Sequence, residues 1–247
     1  MNNLAEHAKR SRVAVTLVRS LRRLARPGRF LVWRTPIEPF RTDLIERARR
    51  APGVPFLEVA SGHRRLSPDF VNLDLQPDPE VDVIGDACSL PFRDSSFGLV
   101  WCEAALEHVP DPVATVREIH RVLKPGGWVY VEIPFLQGFH SDPGDYQRFT
   151  LEGLKRLFRD YEVEWSRPCS GPASAFCYIG TSFLATLFSF GSPWLYKIGF
   201  HYVFCRLFFP LKFLDRWLIR HPEAHRTAFG YALLARKPKS PSNTLPC

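Results

Sequence analysis

Three acids stand where a ligand would meet them. Glu58 lies near the end of an apolar run at 56–60, Asp74 near the end of a second at 70–75, and Asp86 follows a third at 81–84. A carboxylate accepts hydrogen bonds from hydroxyls and amines. Gly62, in the turn Ala60-Ser61-Gly62-His63, would let a ligand approach the backbone. Any one of these acids alone reads as a solvated loop charge or a helix cap. Three at successive run ends favour a nucleoside-type ligand. A further polar stretch, residues 134–150, gathers His140, Asp142, Asp145 and Arg148 around Pro143-Gly144. Each of these residues alone is as well explained by a rigid, hydrogen-bonded loop.

The elements that must position these groups lie in residues 51–165. Short apolar runs at 56–60, 70–75, 81–84, 97–102 and 128–133 alternate with helical patterns. One helix is expected at 112–123, stopped by Pro125-Gly126-Gly127. Alternating strands and helices imply an α/β fold with a Rossmann-like, doubly wound, mostly parallel sheet. Ligands bind such sheets beyond the carboxyl ends of the strands. A last strand is expected at 228–235, after an apolar helical insertion. The expected organisation is a basic helical extension at 1–50, a core at 51–168, an aromatic-rich insertion or lid at 169–226, and a closing strand with a tail at 227–247.

Charge follows the same division. Residues 1–50 hold 13 basic and 4 acidic residues, residues 51–165 hold 10 and 19, and residues 166–247 hold 10 and 2. The acidic centre would repel phosphate, which argues against a nucleic-acid coat despite the net charge of +8. Residues 9–26 form a basic amphipathic pattern, suited to an anionic membrane surface or to packing on the protein's own core. The six cysteines are scattered with no CxxC pair, which indicates neither a zinc ribbon nor a disulfide framework. With arginines interrupting the N-terminal apolar residues, a secretory signal is not expected, and a cytoplasmic protein is.

The motifs carry a resemblance. Gly85-Asp86-Ala87-Cys88-Ser89-Leu90-Pro91-Phe92, Ala105-Leu106-Glu107-His108-Val109 and Arg121-Val122-Leu123-Lys124-Pro125-Gly126-Gly127 resemble the class I S-adenosylmethionine-dependent methyltransferases of the type 11 group. The likeness runs from about residue 57 to 158. It implies S-adenosylmethionine as cofactor. Glu58 and the Ala60-Ser61-Gly62 turn would contact its methionine moiety, Asp74 and Leu75 its ribose, and Asp86 and Ala87 its adenine. Cys102 and Glu103 would border the sulfonium. In the family's pattern a glycine usually stands where this chain has Ala60. No G-x-G-x-x-G is present, which disfavours a dinucleotide.

The resemblance also implies methyl transfer, a direct displacement in which the enzyme aligns the groups and excludes water. An oxygen nucleophile gains from a base, and His140 is the first candidate, with Asp142 and Asp145 orienting it or binding the acceptor. His108 is expected to pack. No metal ligand set is singled out. Residues 169–196 contain no charge, yet the strand expected at 228–235 must rejoin the sheet, so a single crossing of a membrane does not fit. An interfacial insertion or a lid over an apolar pocket fits better, and a buried subdomain or dimer interface is the plainer alternative. The expected acceptor is a small or lipid-linked molecule, with the inner face of a membrane as a possible docking surface. A non-catalytic membrane-docking module is the alternative, and an RNA methyltransferase is disfavoured by the acidic core.

Overall fold

The computed structural model describes residues 40–49, 54–140 and 143–239. The basic pattern at 9–26 and the end of the tail lie outside them. Seven strands form one sheet: β1 (Phe56–Val59), β2 (Phe70–Asp74), β3 (Val83–Ile84), β4 (Phe97–Glu103), β5 (Leu123–Pro134), β6 (Glu162–Ser170) and β7 (Gly230–Arg236). Their order is β3-β2-β1-β4-β5-β7-β6. Only β7 runs antiparallel to its neighbours, β5 and β6. The strand order reverses between β1 and β4, so the carboxyl ends of these two strands flank a crevice where such sheets bind ligands.

The central strands are apolar because both their faces are covered. Leu57, Val59, Val100, Cys102, Val129, Val131 and Leu233 enter one core cluster, with α2 (Pro112–Val122) and α3 (Leu151–Leu157) packed there through Val116, Ile119, Val122 and Leu154. Phe56, Leu99, Trp101, Tyr130 and Leu234 enter a second cluster, with α1 (Phe40–Arg49) packed there through Leu44, Ile45 and Ala48. Successive residues alternate between the two faces, as the strand period requires. Asp111 starts α2: its Oδ1 accepts from the Ala114 N–H at 2.9 Å, and Pro112 takes the first helical position.

Helices do not alternate with strands throughout. The connections from β1 to β2, β2 to β3 and β3 to β4 contain none. The ten residues of the first are held by polar groups instead. Fully buried Asn72 donates through Nδ2 to the carbonyls of Arg64 (2.8 Å) and Glu80 (2.9 Å). Arg65 donates to the carbonyls of Phe70 (2.8 Å) and Glu80 (2.9 Å) and to the Asp82 carboxylate (2.8 Å). A polar residue in the middle of β2 thus fastens loops that a helix would otherwise carry.

The chain divides into two compact units, one holding Pro36–Pro172 and Arg216–Cys247, the other Ala173–Asp215 of the described residues. The apolar insertion is therefore narrower than the 169–226 expected, because Cys169 and Ser170 belong to β6 and residues from Arg216 onward group with the sheet. Within the smaller unit, α4 (Pro172–Leu187) and α5 (Pro193–Ile198) precede a π-helical turn at Gly199–Phe204. Ala185, Phe200 and Cys205 form its small core with Tyr178, Tyr196 and Phe204. Among the described residues no helix is long and apolar enough to cross a membrane.

Candidate active site

The turn after β1 is shaped by two left-handed residues, Ala60 at φ 53° and Gly62 at φ 60°. Left-handed geometry explains why the family's pattern favours glycine at position 60, and alanine pays ~1–2 kcal/mol for it. The turn is tied to β2: Ser61 N–H donates to the Leu73 carbonyl (3.1 Å) and Gly62 N–H to Asp74 Oδ2 (2.9 Å). Asp74 Oδ1 accepts from the Gln76 N–H at 2.9 Å. Glu58, Ser61, Gly62 and Asp74 are thereby brought together at the carboxyl ends of β1 and β2.

Arg64 joins this group, and the sequence did not single it out. Its Nε and Nη2 each lie 3.0 Å from Glu58 Oε1, and Nη2 lies 2.8 Å from Glu103 Oε2. Glu58 is 1 % exposed, and burial pushes its carboxyl up to about 7 although Arg64 pulls the other way. Two buried acids, Glu58 and Glu103, bracket one guanidinium that remains part-exposed.

Asp86 stands exposed beyond β3, its Oδ1 accepting from the Cys88 N–H at 2.8 Å, while Ala87 is buried in the core. Leu75 and Ile84, at the ends of β2 and β3, expose apolar side chains, at 59 % and 62 %. Cys102 is fully buried in the core cluster and its thiol is pushed far up by burial, so only its backbone can border a ligand.

The other side of the site follows β4 and β5. The turn holding Glu107 and His108 is clamped to residues 144–148: Gln147 Nε2 donates to the carbonyls of Leu106 (2.5 Å) and Val109 (2.8 Å), and Tyr146 N–H donates to the Glu107 carbonyl (2.8 Å). Asp145 is held by Arg148, which keeps its carboxyl down at about 2, and it accepts the His140 N–H at 2.8 Å. Asp145 is therefore a clamp on the His140 backbone rather than a proton acceptor. His140 is half-buried, and burial lowers its pKa. Asp142 lies outside the described residues.

His108 does not merely pack. It sits in a turn, its ring edge-on to that of His140 with centroids 5.0 Å apart. Glu107 Oε1 lies 3.6 Å from His108 Nε2 and 3.8 Å from His140 Nε2. Glu107 escaped the sequence reading because an acid inside an otherwise apolar motif has no visible partner until His140 arrives from another strand end.

The residues after β1 and β2 suit S-adenosylmethionine. Glu58 Oε2 and Ser61 Oγ are buried without a partner, and nothing lies within 4 Å of where a side chain would grow from Gly62. A buried acceptor left unsatisfied is costly, and a ligand ammonium would satisfy Glu58. The open face of Arg64 suits the accompanying carboxylate, Asp74 a ribose diol, and Leu75 with Ile84 a flat base.

This parallel sheet with one antiparallel strand, carrying acids along its carboxyl edge, is the Rossmann-like fold that the resemblance to the class I methyltransferases implies. Residues 64–131 match the sequence model of the family described as "Methyltransferase domain". This stretch of the chain is a methyltransferase domain of the S-adenosylmethionine-dependent type 11 group. A demethylmenaquinone methyltransferase from Staphylococcus saprophyticus is 41 % identical over 119 residues, which are 46 % of this chain and 48 % of that one. Another from Staphylococcus epidermidis is 39 % identical over 88 residues, 34 % of this chain and 36 % of that one. The chain thus spans less than half the length of these relatives. A Bacillus halodurans structure, provisionally assigned as a methyltransferase, shares the fold with a TM-score of 0.50 at 17 % identity, over 81 % of this chain and 100 % of that one.

Proposed function

We propose that the protein transfers a methyl group from S-adenosylmethionine to an oxygen of a small or lipid-linked acceptor, with a quinol ring, the reduced and hydroxyl-bearing form of a quinone, as the first candidate. The cofactor supplies an electrophilic methyl on sulfur. The chain's residues do the rest. Glu58 and Arg64 hold the ligand's charged end and Asp74 its sugar. The polar cluster after β4 and β5 receives the acceptor's hydroxyl, and burial keeps His140 neutral and able to take a proton near neutrality. The observation that carries this reading is the orphaned Glu58 oxygen beside the open Gly62 turn. The acceptor class leans on the demethylmenaquinone named for the relatives.

The smaller unit supports docking on an anionic membrane. Phe176, Ile179, Phe183 and Leu187 recur three or four residues apart on α4 and are all exposed. Between 173 and 214 the sequence contains no acid, whereas Lys197 and Arg206 are exposed. Aromatic and basic groups with no acids suit a lipid interface. A labelled-methyl transfer assay on extract, split into lipid, soluble and nucleic-acid fractions, tests the whole reading. Label is expected in the lipid fraction. Transfer to no fraction would leave the non-catalytic module, and flotation with anionic vesicles tests docking by itself.

Affinity for S-adenosylmethionine is expected to depend on pH through Glu58. Its pKa in the ligand-free fold is about 7, and a ligand ammonium needs the carboxylate. Binding therefore tightens about tenfold from pH 6 to pH 8 as the ionised fraction grows. The same raised pKa makes the ligand-free fold lose stability as pH climbs from the unfolded value of about 4.5 through 7. Calorimetry at three pH values should show the trend, and Glu58→Gln should flatten it. An equally steep profile in that variant would assign the titration elsewhere.

A further inference from the structure

We propose that Glu107, His108 and His140 form a binding site for a borderline first-row divalent cation, of the kind Zn2+ exemplifies. One ligand atom from each lies within 4.8 Å of the others. Glu107 is 1 % exposed, and neither of its carboxylate oxygens has a hydrogen-bond partner. A carboxylate is not buried bare: it needs a cation or a donor. Each imidazole beside it has a backbone carbonyl within reach of its other nitrogen. His108 Nδ1 meets the Gly144 carbonyl, and His140 Nδ1 meets the Gly138 carbonyl at 3.1 Å. A carbonyl only accepts, so a ring proton on Nδ1 meets it and leaves the lone pair of Nε2 toward Glu107 Oε1, although Arg148 Nη2 also lies 3.4 Å from His140 Nδ1. Three lone-pair donors then converge on one small volume.

A metal ion resolves this arrangement. A ring N–H on a backbone carbonyl, with the opposite nitrogen aimed inward, is the outer arrangement that orients metal-bound histidines. Two imidazoles and a carboxylate suit Zn2+, Co2+ or Mn2+ rather than Mg2+ or Ca2+, which prefer oxygen alone. Around one tetrahedral Zn2+, ligand atoms ~2.0–2.1 Å from the metal stand about 3.3 Å apart. The observed 3.6 and 3.8 Å are close to that spacing. Arg148, whose Nη2 lies 3.4 Å from His140 Nδ1, is paired mainly with Asp145. Gln137 Nε2, 3.4 Å from both ring nitrogens of His140, can turn aside.

The site follows the ends of β4 and β5, on the acceptor side proposed above. There an ion would hold and acidify an acceptor oxygen, in place of proton transfer to His140. That role rests on the methyl-transfer reading, whereas the binding stands on the geometry alone. The full chain, stripped with a chelator, is titrated with Zn2+, Mn2+, Co2+ and Mg2+ in separate calorimetry runs, and with Co2+ by visible absorption. One equivalent of Zn2+ or Co2+ is expected, with ligand-field bands for Co2+ and no heat from Mg2+. Glu107→Gln and His140→Gln should each weaken Zn2+ at least about 100-fold and erase the melting-temperature rise that Zn2+ gives the native chain. His140 lies in a loop, so His140→Gln decides the matter if Glu107→Gln does not fold. No binding of Zn2+, Mn2+ or Co2+, a response to Mg2+ alone, or equal affinity in a folded His140→Gln would overturn the site. S-adenosylmethionine titrated into the metal-free chain keeps that failure separate from failure of the methyltransferase reading.

Discussion

Asp74→Ala is expected to weaken S-adenosylmethionine binding by more than about 100-fold. Asp74 does two jobs at once. Its Oδ2 accepts the Gly62 N–H at 2.9 Å and so fixes the left-handed turn on which the ligand would rest. Its part-exposed carboxylate also has lone pairs left for a ribose diol, beyond the bonds to Gly62 and Gln76. Hydrogen bonds to a charged group are worth ~1.5–3 kcal/mol each, so losing two removes ~3–6 kcal/mol, which is over 100-fold in affinity. Asp74→Asn keeps one acceptor for Gly62 but not the charge, and should lose about tenfold. Asp86→Ala should cost less than Asp74→Ala, because Asp86 is exposed and ties only its own turn. Calorimetry on variants with native circular dichroism measures all three. Binding by Asp74→Ala within threefold of the native chain would remove the ribose role.

How much of this was open to sequence reasoning follows from burial. The runs at 97–102 and 128–133 stood out because β4 and β5 are covered on both faces, which forces consecutive apolar residues. β6 did not, because it is an edge strand whose first residues, Glu162, Val163 and Glu164, are exposed. With two acids among those exposed residues it reads as a polar segment. The three helix-free connections were invisible for another reason. What replaces the helix after β1 is Asn72, and an asparagine inside a strand says nothing until the carbonyls of Arg64 and Glu80 are placed around it. The site shows the same limit. Glu58, Asp74 and Asp86 sit at strand ends, so locating the strands located them. Arg64 and Glu107 acquire meaning only from partners on other elements, Glu103 on β4 and His140 beyond β5.

Asp215→Ala is expected to destabilise the smaller unit by about 3 kcal/mol or more, because each buried donor left unmet costs ~1–3 kcal/mol. Asp215 is fully buried and accepts three hydrogen bonds: from Ala173 N–H (2.8 Å), Ser174 N–H (2.9 Å) and Ser174 Oγ (2.6 Å). Two of these are N–H groups at the start of α4, which no helical carbonyl can satisfy and which favour a negative charge. Alanine would leave them buried and unmet. It would also remove one of the groups that hold the ammonium of Lys212, which is 2 % exposed, in its charged form. Burial pushes the Lys212 ammonium down to about 8, while Asp215 and Cys177 hold it up. Since the folded value lies below the unfolded one of about 10.5, this lysine costs stability fully below pH 8 and recovers it as pH rises through that window. Removing Asp215 widens the gap. Lys212→Met should therefore recover ~2 kcal/mol in the Asp215→Ala background at pH 7, a coupling that a double-mutant cycle isolates. Hydrogen exchange of peptides from 173–215 measures the unit itself rather than the whole chain. Asp215→Ala should accelerate exchange across α4, and the double variant should slow it again. Native protection in Asp215→Ala, or no recovery with Lys212→Met, would show that α4 is held by its apolar contacts instead.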